Sequence, residues 1–188
     1  IKDFHNRWYR PDLQAVVVVG DFNADEMVEK IKKVMSDIPA VENPEPKQVI
    51  KIEGNDEPMV CVATDPEMTS TRVMMMIKHD PVPKEVNNTV QAFVANLAIE
   101  MISSMLSNRL TDIAQQPNAP FVAAGSAYGA LTDYQDVMQA IAIARDGEVE
   151  KAFEALYAEV EKAQRFGFTM SELERERAEV LRSNEKGY

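Results

Sequence analysis

The sequence predicts an α+β domain in which helices pack on one side of a mainly antiparallel sheet. Apolar residues recur at three- and four-residue intervals in several stretches, and β-branched or alternating runs lie between them. The predicted order is helix, strand, helix, three strands, then helix, two strands and two helices. With 188 residues the chain is long enough for one such domain, residues 1–188, with approximate halves at 1–83 and 84–188.

The chain is predicted to open with a short helix that leads into a buried strand. Phe4 and Trp8 lie at helical spacing, and Pro11 is expected to end that helix. Residues 15–19 read Ala-Val-Val-Val-Val and are apolar on both faces. Such a run is typical of a strand in the interior of a sheet.

A capped helix and three more strands are predicted to complete the first half. Asn23 is expected to cap the helix, with Glu26 as its reciprocal partner, and the apolar pattern ends at Pro39. The strands are predicted at residues 49–52, 59–63 and 71–79.

Two features of these strands are open to a functional reading. The last of them contains Val-Met-Met-Met-Ile at residues 73–77, which favours a central strand buried on both faces over a sulfur-rich binding surface. Cys61 lies in an apolar run with no basic residue nearby, so we expect a small buried side chain and not a reactive thiol.

A long helix and two paired strands are predicted to open the second half. The helical pattern runs over residues 85–116 and would span about 48 Å if unbroken, so we expect a kink or break at residues 103–108. Residues 121–131 and 134–145 are expected to pair. In the second strand Ala140, Ala142 and Ala144 alternate with larger residues. The face that carries the alanines is therefore small and would let a helix approach closely.

Two helices are predicted to close the chain. The first covers residues 149–166 and has Gly167 as its C-terminal cap. The second is expected to be capped by Ser171, with Glu174 completing a capping box. Its charges alternate in sign and predict a solvated face with local ion pairs, not a cation site. The residues are Glu172, Glu174, Arg175, Glu176, Arg177, Glu179 and Arg182.

Charge and composition exclude several classes of partner. There are 20 Lys and Arg against 31 Asp and Glu, a formal net charge of −11. This surplus argues against nucleic acid and against an anionic membrane surface. No uninterrupted apolar run approaches the roughly 20 residues that a membrane span needs. A single cysteine excludes an internal disulfide framework and leaves the compartment open.

Neither a metal site nor a nucleophilic site is predicted. The only histidines are His5 and His79, with no spacing that suggests a zinc site, so we interpret both as interfacial or solvent-facing. There is no Gly-x-Ser-x-Gly, and the turn at Gly20–Asp21 lacks the spaced glycines of a phosphate loop. We therefore assign no catalytic, cofactor-binding or metal-ligating residue.

Three segments of the sequence together carry motifs of one known family. Residues 4–21 contain Phe-x-x-x-Trp-Tyr-x-Pro followed by Val-Val-Gly-Asp. Residues 107–110 read Ser-Asn-Arg-Leu, and residues 167–173 read Gly-Phe-Thr-Met-Ser-Glu-Leu. In their order and spacing, which extend over nearly the whole chain, they resemble the "F-x-x-x-W-Y-x-P … V-V-G-D", "S-x-R-L" and "G-x-t-x-x-E-L" segments of the non-catalytic domain of the insulinase/pitrilysin-like zinc metallopeptidases.

The resemblance implies a domain that follows a catalytic one. In the family, the catalytic domain carries His-x-x-Glu-His and binds zinc, and similar α+β domains enclose a chamber in which peptides are cut. This chain has no such motif, so it would bind no cofactor itself, support the catalytic domain and form part of the chamber wall. Ile1 at the start and the charged helical end imply excision from a longer chain. The family's "G-L-A-Y" is replaced by residues 115–121, so Arg109 and Tyr128 receive no role.

Other functions remain open at this stage. An inactive scaffold or assembly domain of the same fold is the first alternative, and a stand-alone small-ligand module of ferredoxin-like type is the second. A His-x-x-Glu-His motif upstream in the parent chain would favour the peptidase. If the chamber exists, the net charge of −11 is expected to favour basic or neutral peptides through the summed field.

Overall fold

The computed structural model describes residues 1–46, 49 and 52–187, and these form two compact units. The first unit is Ile1–Val49 and the second is Ile50–Tyr188.

The first unit contains two helices joined by a 3-10 turn. Helix α1 is Lys2–Trp8, the turn is Pro11–Leu13 and helix α2 is Ala24–Met35. Both predicted helices are confirmed. The Asn23 side chain accepts hydrogen bonds from the backbone N–H groups of Asp25 and Glu26, as expected of an N-cap.

The strand predicted at residues 15–19 is wrong. This segment is not in a strand, and Val17 and Val19 are 84% and 92% exposed. A β-branched run becomes a strand only when a neighbour completes its ladder, and this segment has no ladder partner among the described residues. Its apolar side chains therefore face solvent.

A three-stranded antiparallel sheet forms the centre of the second unit. The strands are β1 (Thr71–His79), β2 (Phe121–Thr132) and β3 (Gln135–Ala144), in the spatial order β1, β3, β2. The predicted pairing of the last two strands is confirmed, and β1 pairs along the full length of its nine residues with β3. The strand that is central in space is therefore β3.

Three expectations about the first strands need correction. β1 is an edge strand within the described part of the chain, and Met74 and Met76 are exposed, so the run at 73–77 is not buried on both faces. Residues 59–63 form no strand, and Cys61 is exposed for lack of a covering ladder. The strand predicted at 49–52 falls partly outside the described residues.

Helix α3 is continuous over Val90–Ala114, so the expected break at residues 103–108 is absent. Ser107 does not interrupt the helix, because its hydroxyl bonds outward to the backbone of Ser126 in β2, and the backbone carbonyl oxygen of Ser103 accepts a further hydrogen bond from the Ser126 hydroxyl. By length and composition alone α3 is apolar enough to cross a membrane. Its second half, however, lies in the core of the unit, where Leu106 and Leu110 are almost fully buried.

The core lies between one face of the sheet, α3 and helix α4, which is Val149–Phe166. The predicted small face of β3 is confirmed, since Ala140 and Ala142 are at most 1% exposed and Ala152 of α4 is fully buried. Because α3 and α4 share this cluster, the helices pack on one side of the sheet, as predicted. The buried residues of the cluster are Leu106, Leu110, Phe121, Ala140, Ala142, Ala144, Ala152, Leu156 and Val160.

The last helix, α5 (Met170–Lys186), begins at a different cap from the one predicted. Gly167 ends α4 at φ 68°, a backbone conformation that suits glycine, as expected. Thr169 is the N-cap of α5, and Glu172 completes the capping box. The box therefore lies two residues before the predicted pair of Ser171 and Glu174, because Thr169 is the residue with an extended backbone (φ −74°, ψ 158°) directly before the helix.

Candidate functional site

An ion pair joins two of the segments that carry the family resemblance. Arg109 of α3 donates from Nε to Oε1 of Glu172 at 2.5 Å and from Nη2 to Oε2 at 2.9 Å. Both side chains are mostly buried, with 13% and 16% exposed. Such a bidentate contact matches the planar fork of arginine. It fixes the start of α5 against α3.

The Arg109 guanidinium has further partners at the same junction. Its Nη2 also donates to the carbonyl oxygen of Gly167 at 3.0 Å, and its centre lies 4.5 Å from the ring centroid of Phe168. Nη1 is buried and has no hydrogen-bond partner among the described residues. Arg109 therefore holds the α4–α5 connection and the start of α5 through an ion pair with Glu172, a hydrogen bond to the Gly167 carbonyl oxygen and a cation–π contact with Phe168.

The neighbours of Arg109 in the Ser-Asn-Arg-Leu segment have separate structural contacts. Ser107 bonds to β2, and Leu110 is fully buried in the core. Asn108 donates to Glu176 of α5 at 3.5 Å, the upper limit for a hydrogen bond. Four consecutive residues thus connect α3 to the sheet, the core and α5, and the sequence pattern alone revealed none of these contacts.

The pair shifts the pKa values of both partners. The hydrogen bonds from Arg109 lower the pKa of Glu172 to about 2, with further help from Thr169. The same contact raises the pKa of Arg109.

The prediction that the charged residues of α5 form a solvated face is wrong for two of them. Glu172 is mostly buried against Arg109, and Glu176 is buried, whereas Glu179 and Arg182 form the expected local ion pair.

A third segment of the resemblance is held by a buried arginine in the first unit. Arg10 is only 4% exposed, and its Nη2 donates to the carbonyl oxygen of Glu45 at 2.5 Å. Its Nε lies 3.0 Å from Oδ1 of Asp12, and its guanidinium is 5.9 Å from the ring centroid of Trp8. The Trp-Tyr-Arg-Pro segment therefore organises the loop that follows α2.

A cleft of about 570 Å³ lies in the second unit between α3 and the outer edge of β2. At one end, Ser107 closes that edge: the N–H of Ser126 donates to its Oγ at 2.9 Å, and the Oγ donates to the carbonyl oxygen of Ser126 at 3.1 Å. The cleft begins beyond this contact, where Asn96 and Glu100 of α3 face Tyr128 of β2.

The edge of β2 is open along this cleft. Because backbone groups alternate in direction along a strand, those of Tyr128 and Ala130 point to the same outer side as those of Ser126. No described backbone group outside the sheet bonds to them. A second cleft of about 430 Å³ continues along the edge past Ala130 and shares Asn96 with the first. Unpaired strand edges of this kind can pair with another extended chain.

A small polar cluster extends across the sheet from Tyr128 of β2 to His79 of β1. The hydroxyl of Tyr128 donates to Oδ2 of Asp136 at 3.0 Å, and its ring stacks on His79 at 4.9 Å. Burial and this hydrogen bond raise the pKa of Tyr128 to about 12. The phenol therefore stays protonated and acts as a hydrogen-bond donor, not as a base.

The histidines lie where the sequence interpretation placed them, at exposed positions. His5 is exposed on α1 and stacks on Tyr9 at 4.8 Å, and His79 is exposed at the end of β1. Across the described residues, no three His, Cys, Asp or Glu side chains are close enough to hold a metal ion. The donor set therefore does not fit a zinc site.

These observations define an α+β domain in which two charged residues of the resembling segments, Arg109 and Glu172, hold helices α3 and α5 together. The family described as "Peptidase M16 inactive domain" matches residues 1–180, so the chain belongs to this family. The named family agrees with the resemblance found in the sequence.

Two curated relatives are zinc proteases by name. The chain is 26% identical over 176 residues to "Probable zinc protease PqqL" of Escherichia coli strain K12, covering 93% of this chain and 18% of that protein. It is 28% identical over 132 residues to "Zinc protease PQQL-like" of Arabidopsis thaliana, covering 70% of this chain and 14% of that protein. The chain thus spans less than a fifth of the length of these two relatives.

The fold is also found in solved structures. The crystal structure of the periplasmic protease PqqL from Escherichia coli superposes with a TM-score of 0.76 at 22% identity, covering 98% of this chain and 20% of that one. The structure of its first half matches with the same TM-score at 21% identity, covering 98% of this chain and 39% of that half. This likeness shows the fold.

Proposed function

We propose that residues 1–188 form one non-catalytic domain of a zinc-dependent peptidase. In this role the domain packs beside the catalytic domain of the same parent chain, supports it and forms part of the wall of a substrate chamber. The zinc and the hydrolytic groups belong to the catalytic domain. The match to the inactive domain family and the names of the relatives support this assignment.

The observation that carries the proposal is the use of the motif residues as structural contacts. Arg109 and Glu172 form an ion pair with each other, and Arg109 also donates to the carbonyl oxygen of Gly167 in the α4–α5 connection. A group that acts on substrate must be within reach of it, whereas this pair is mostly buried between two helices. The domain therefore contributes a shaped and rigid surface, and chemistry must come from a neighbour.

We propose that the open edge of β2 is the surface that faces the peptide. The clefts beside it offer the backbone groups of Tyr128 and Ala130 to an extended chain, which is the geometry of strand addition. The clefts are lined by three acidic residues, Glu100, Asp133 and Asp136, and by one basic residue, Lys84. This local surplus of carboxylates favours basic or neutral peptides.

The first experiment asks whether this chain alone has activity. Purified residues 1–188 and the full-length parent are compared for zinc content and for cleavage of a peptide library. We expect the chain alone to hold no stoichiometric zinc and to cut nothing, and the parent to do both. Stoichiometric zinc with cleavage by the chain alone would overturn the proposal. A parent that lacks both would favour the inactive scaffold.

The second experiment tests the peptide-facing edge in the parent. Ala130→Pro removes an N–H that points away from β3, so the sheet ladder is kept while strand addition is blocked. Ala130→Ser is the matched control, because it keeps the N–H. We expect the proline variant to raise KM for peptides with kcat little changed. Equal KM values for the two variants would remove the edge from the proposal.

A further inference from the structure

Ser107 of α3 contacts the outer edge of β2 in the way that a neighbouring strand would. A serine hydroxyl is both a donor and an acceptor, so a single oxygen can serve an N–H group and a C=O group. The Oγ of Ser107 accepts from the N–H of Ser126 at 2.9 Å and donates to the carbonyl oxygen of Ser126 at 3.1 Å. These are the two backbone groups that a further strand would use at this residue.

A second contact holds Ser126 against the same helix. The Ser126 hydroxyl donates to the carbonyl oxygen of Ser103 at 2.8 Å, about one helical turn before Ser107. Because a serine side chain is short, the contact of Ser107 requires the main chain of α3 to lie roughly one strand spacing, about 4.8 Å, from β2. The helix therefore occupies the place of the next strand at Ser126, and both partners belong to the second unit.

The next outward-pointing residues of β2 have no such contact. The backbone groups of Tyr128 and Ala130 point to the same side as those of Ser126, and no described backbone group outside the sheet bonds to them. β2 ends at Thr132, two residues beyond Ala130. An extended chain added to this edge thus has two residues to pair with, between the contact at Ser126 and the turn that leads to β3.

We infer that α3, through Ser107 and Ser103, ends the open edge at Ser126 and thereby sets the register and the length of the peptide segment that β2 binds. This inference rests on the proposed function and adds a feature of the substrate to it. The segment that pairs with β2 is about three consecutive extended residues, and the peptide then ends or turns away from the sheet at α3. The peptide residue opposite Tyr128 is the last one of the ladder on this side. Because paired residues share a face, its side chain lies on the same face of the sheet as that of Tyr128.

Hydrogen exchange in the full-length parent tests the inference. EDTA is present so that peptide is bound without being cut, and the probe is an octapeptide of alternating lysine and valine, a composition that suits acidic clefts and the extended conformation. Exchange at single amides of β2 is followed by mass spectrometry with and without the peptide. Ser107→Ala removes the hydroxyl. Ser104→Ala is the matched control, because Ser104 lies on the same stretch of α3 and bonds to no described residue of β2.

We expect the peptide to slow exchange at the Tyr128 and Ala130 amides roughly tenfold or more and to leave the slow Ser126 amide unchanged. In Ser107→Ala the Ser126 amide should exchange roughly tenfold faster, whether peptide is bound or not, and in Ser104→Ala it should exchange as in the wild type. Protection of the Ser126 amide by peptide in Ser107→Ala would overturn the inference, since the ladder would then continue past α3.

The remaining outcomes separate this inference from the proposed function. A peptide that protects neither Tyr128 nor Ala130 would overturn the inference and remove the edge as a peptide surface. That result would leave the assignment of a non-catalytic peptidase domain in place, because zinc content and cleavage are measured without reference to β2.

Discussion

The two halves of α3 have similar apolar content but different surroundings. In the second half, Leu106 and Leu110 are buried, and Ser107 and Arg109 bond to the sheet and to α5. In the first half, Val90 and Phe93 are exposed. One continuous helix therefore contributes buried side chains to the core of the second unit in one half and exposed apolar side chains in the other. Helical periodicity shows that a helix has an apolar face, and only packing shows what covers it.

The largest predicted effect separates these two halves by a core truncation. Leu110→Ala removes a fully buried side chain and is expected to lower the free energy of unfolding by about 2–5 kcal/mol. Phe93→Ala, on the exposed half, is expected to change it by about 0.5 kcal/mol or less. Urea unfolding followed by circular dichroism measures both. Comparable losses would show that the first half of α3 is packed as tightly as the second.

The Arg109–Glu172 pair is expected to give the next largest effect. Arg109→Ala leaves a mostly buried carboxylate without its partner and should cost about 2–3 kcal/mol. Arg109→Lys keeps the charge but loses the bidentate contact, so it should recover only part of the loss. The same unfolding measurement applies. Full recovery by lysine would mean that charge alone, without the fork geometry, holds α5 in place.

The low pKa of Glu172 predicts a pH dependence for this contact. Its pKa is about 2 in the folded chain against an ordinary value of 4.5, so its stabilisation is complete above about pH 5 and is lost as the pH falls towards 2. Unfolding free energies of the wild type and Glu172→Gln should therefore differ most near neutral pH and converge at low pH. A difference that stays constant from pH 7 to pH 2 would contradict the assignment.

Ser107 is expected to have a smaller and local effect. Ser107→Ala removes the hydroxyl that satisfies both backbone groups of Ser126, at a cost of about 1–2 kcal/mol. Amide hydrogen exchange at Ser126 should accelerate in this variant while that at Ala140, in the middle of the sheet, stays slow. If the Ser126 amide remained protected, the edge of β2 would be covered by something other than this serine.

The smallest effect distinguishes the observed cap of α5 from the predicted one. Thr169→Ala should cost about 1 kcal/mol, because Thr169 is the N-cap and half of the capping box. Ser171→Ala, at the position that the sequence pattern favoured, should cost only a few tenths of a kcal/mol. Thermal unfolding monitored at the helix band compares them. The reverse order of losses would restore the predicted cap.

The sequence by itself determined the elements whose information is local. The helices α2 and α4, the cap at Asn23, the pairing of β2 with β3 and the small alanine face of β3 follow from periodicity and turn chemistry. The family resemblance also came from local segments.

Tertiary structure decided everything that depends on a partner distant in the chain. The runs at 15–19 and 59–63 look like strands, yet a strand needs a neighbour to complete its hydrogen bonds. The sequence predicts Glu172 to be one of several exposed acids, whereas the fold brings Arg109, 63 residues away, into contact with it. Periodicity in the sequence indicates which side chains share a face of a helix or strand. Whether that face is buried, and which charges pair on it, depends on what packs against it in the folded chain.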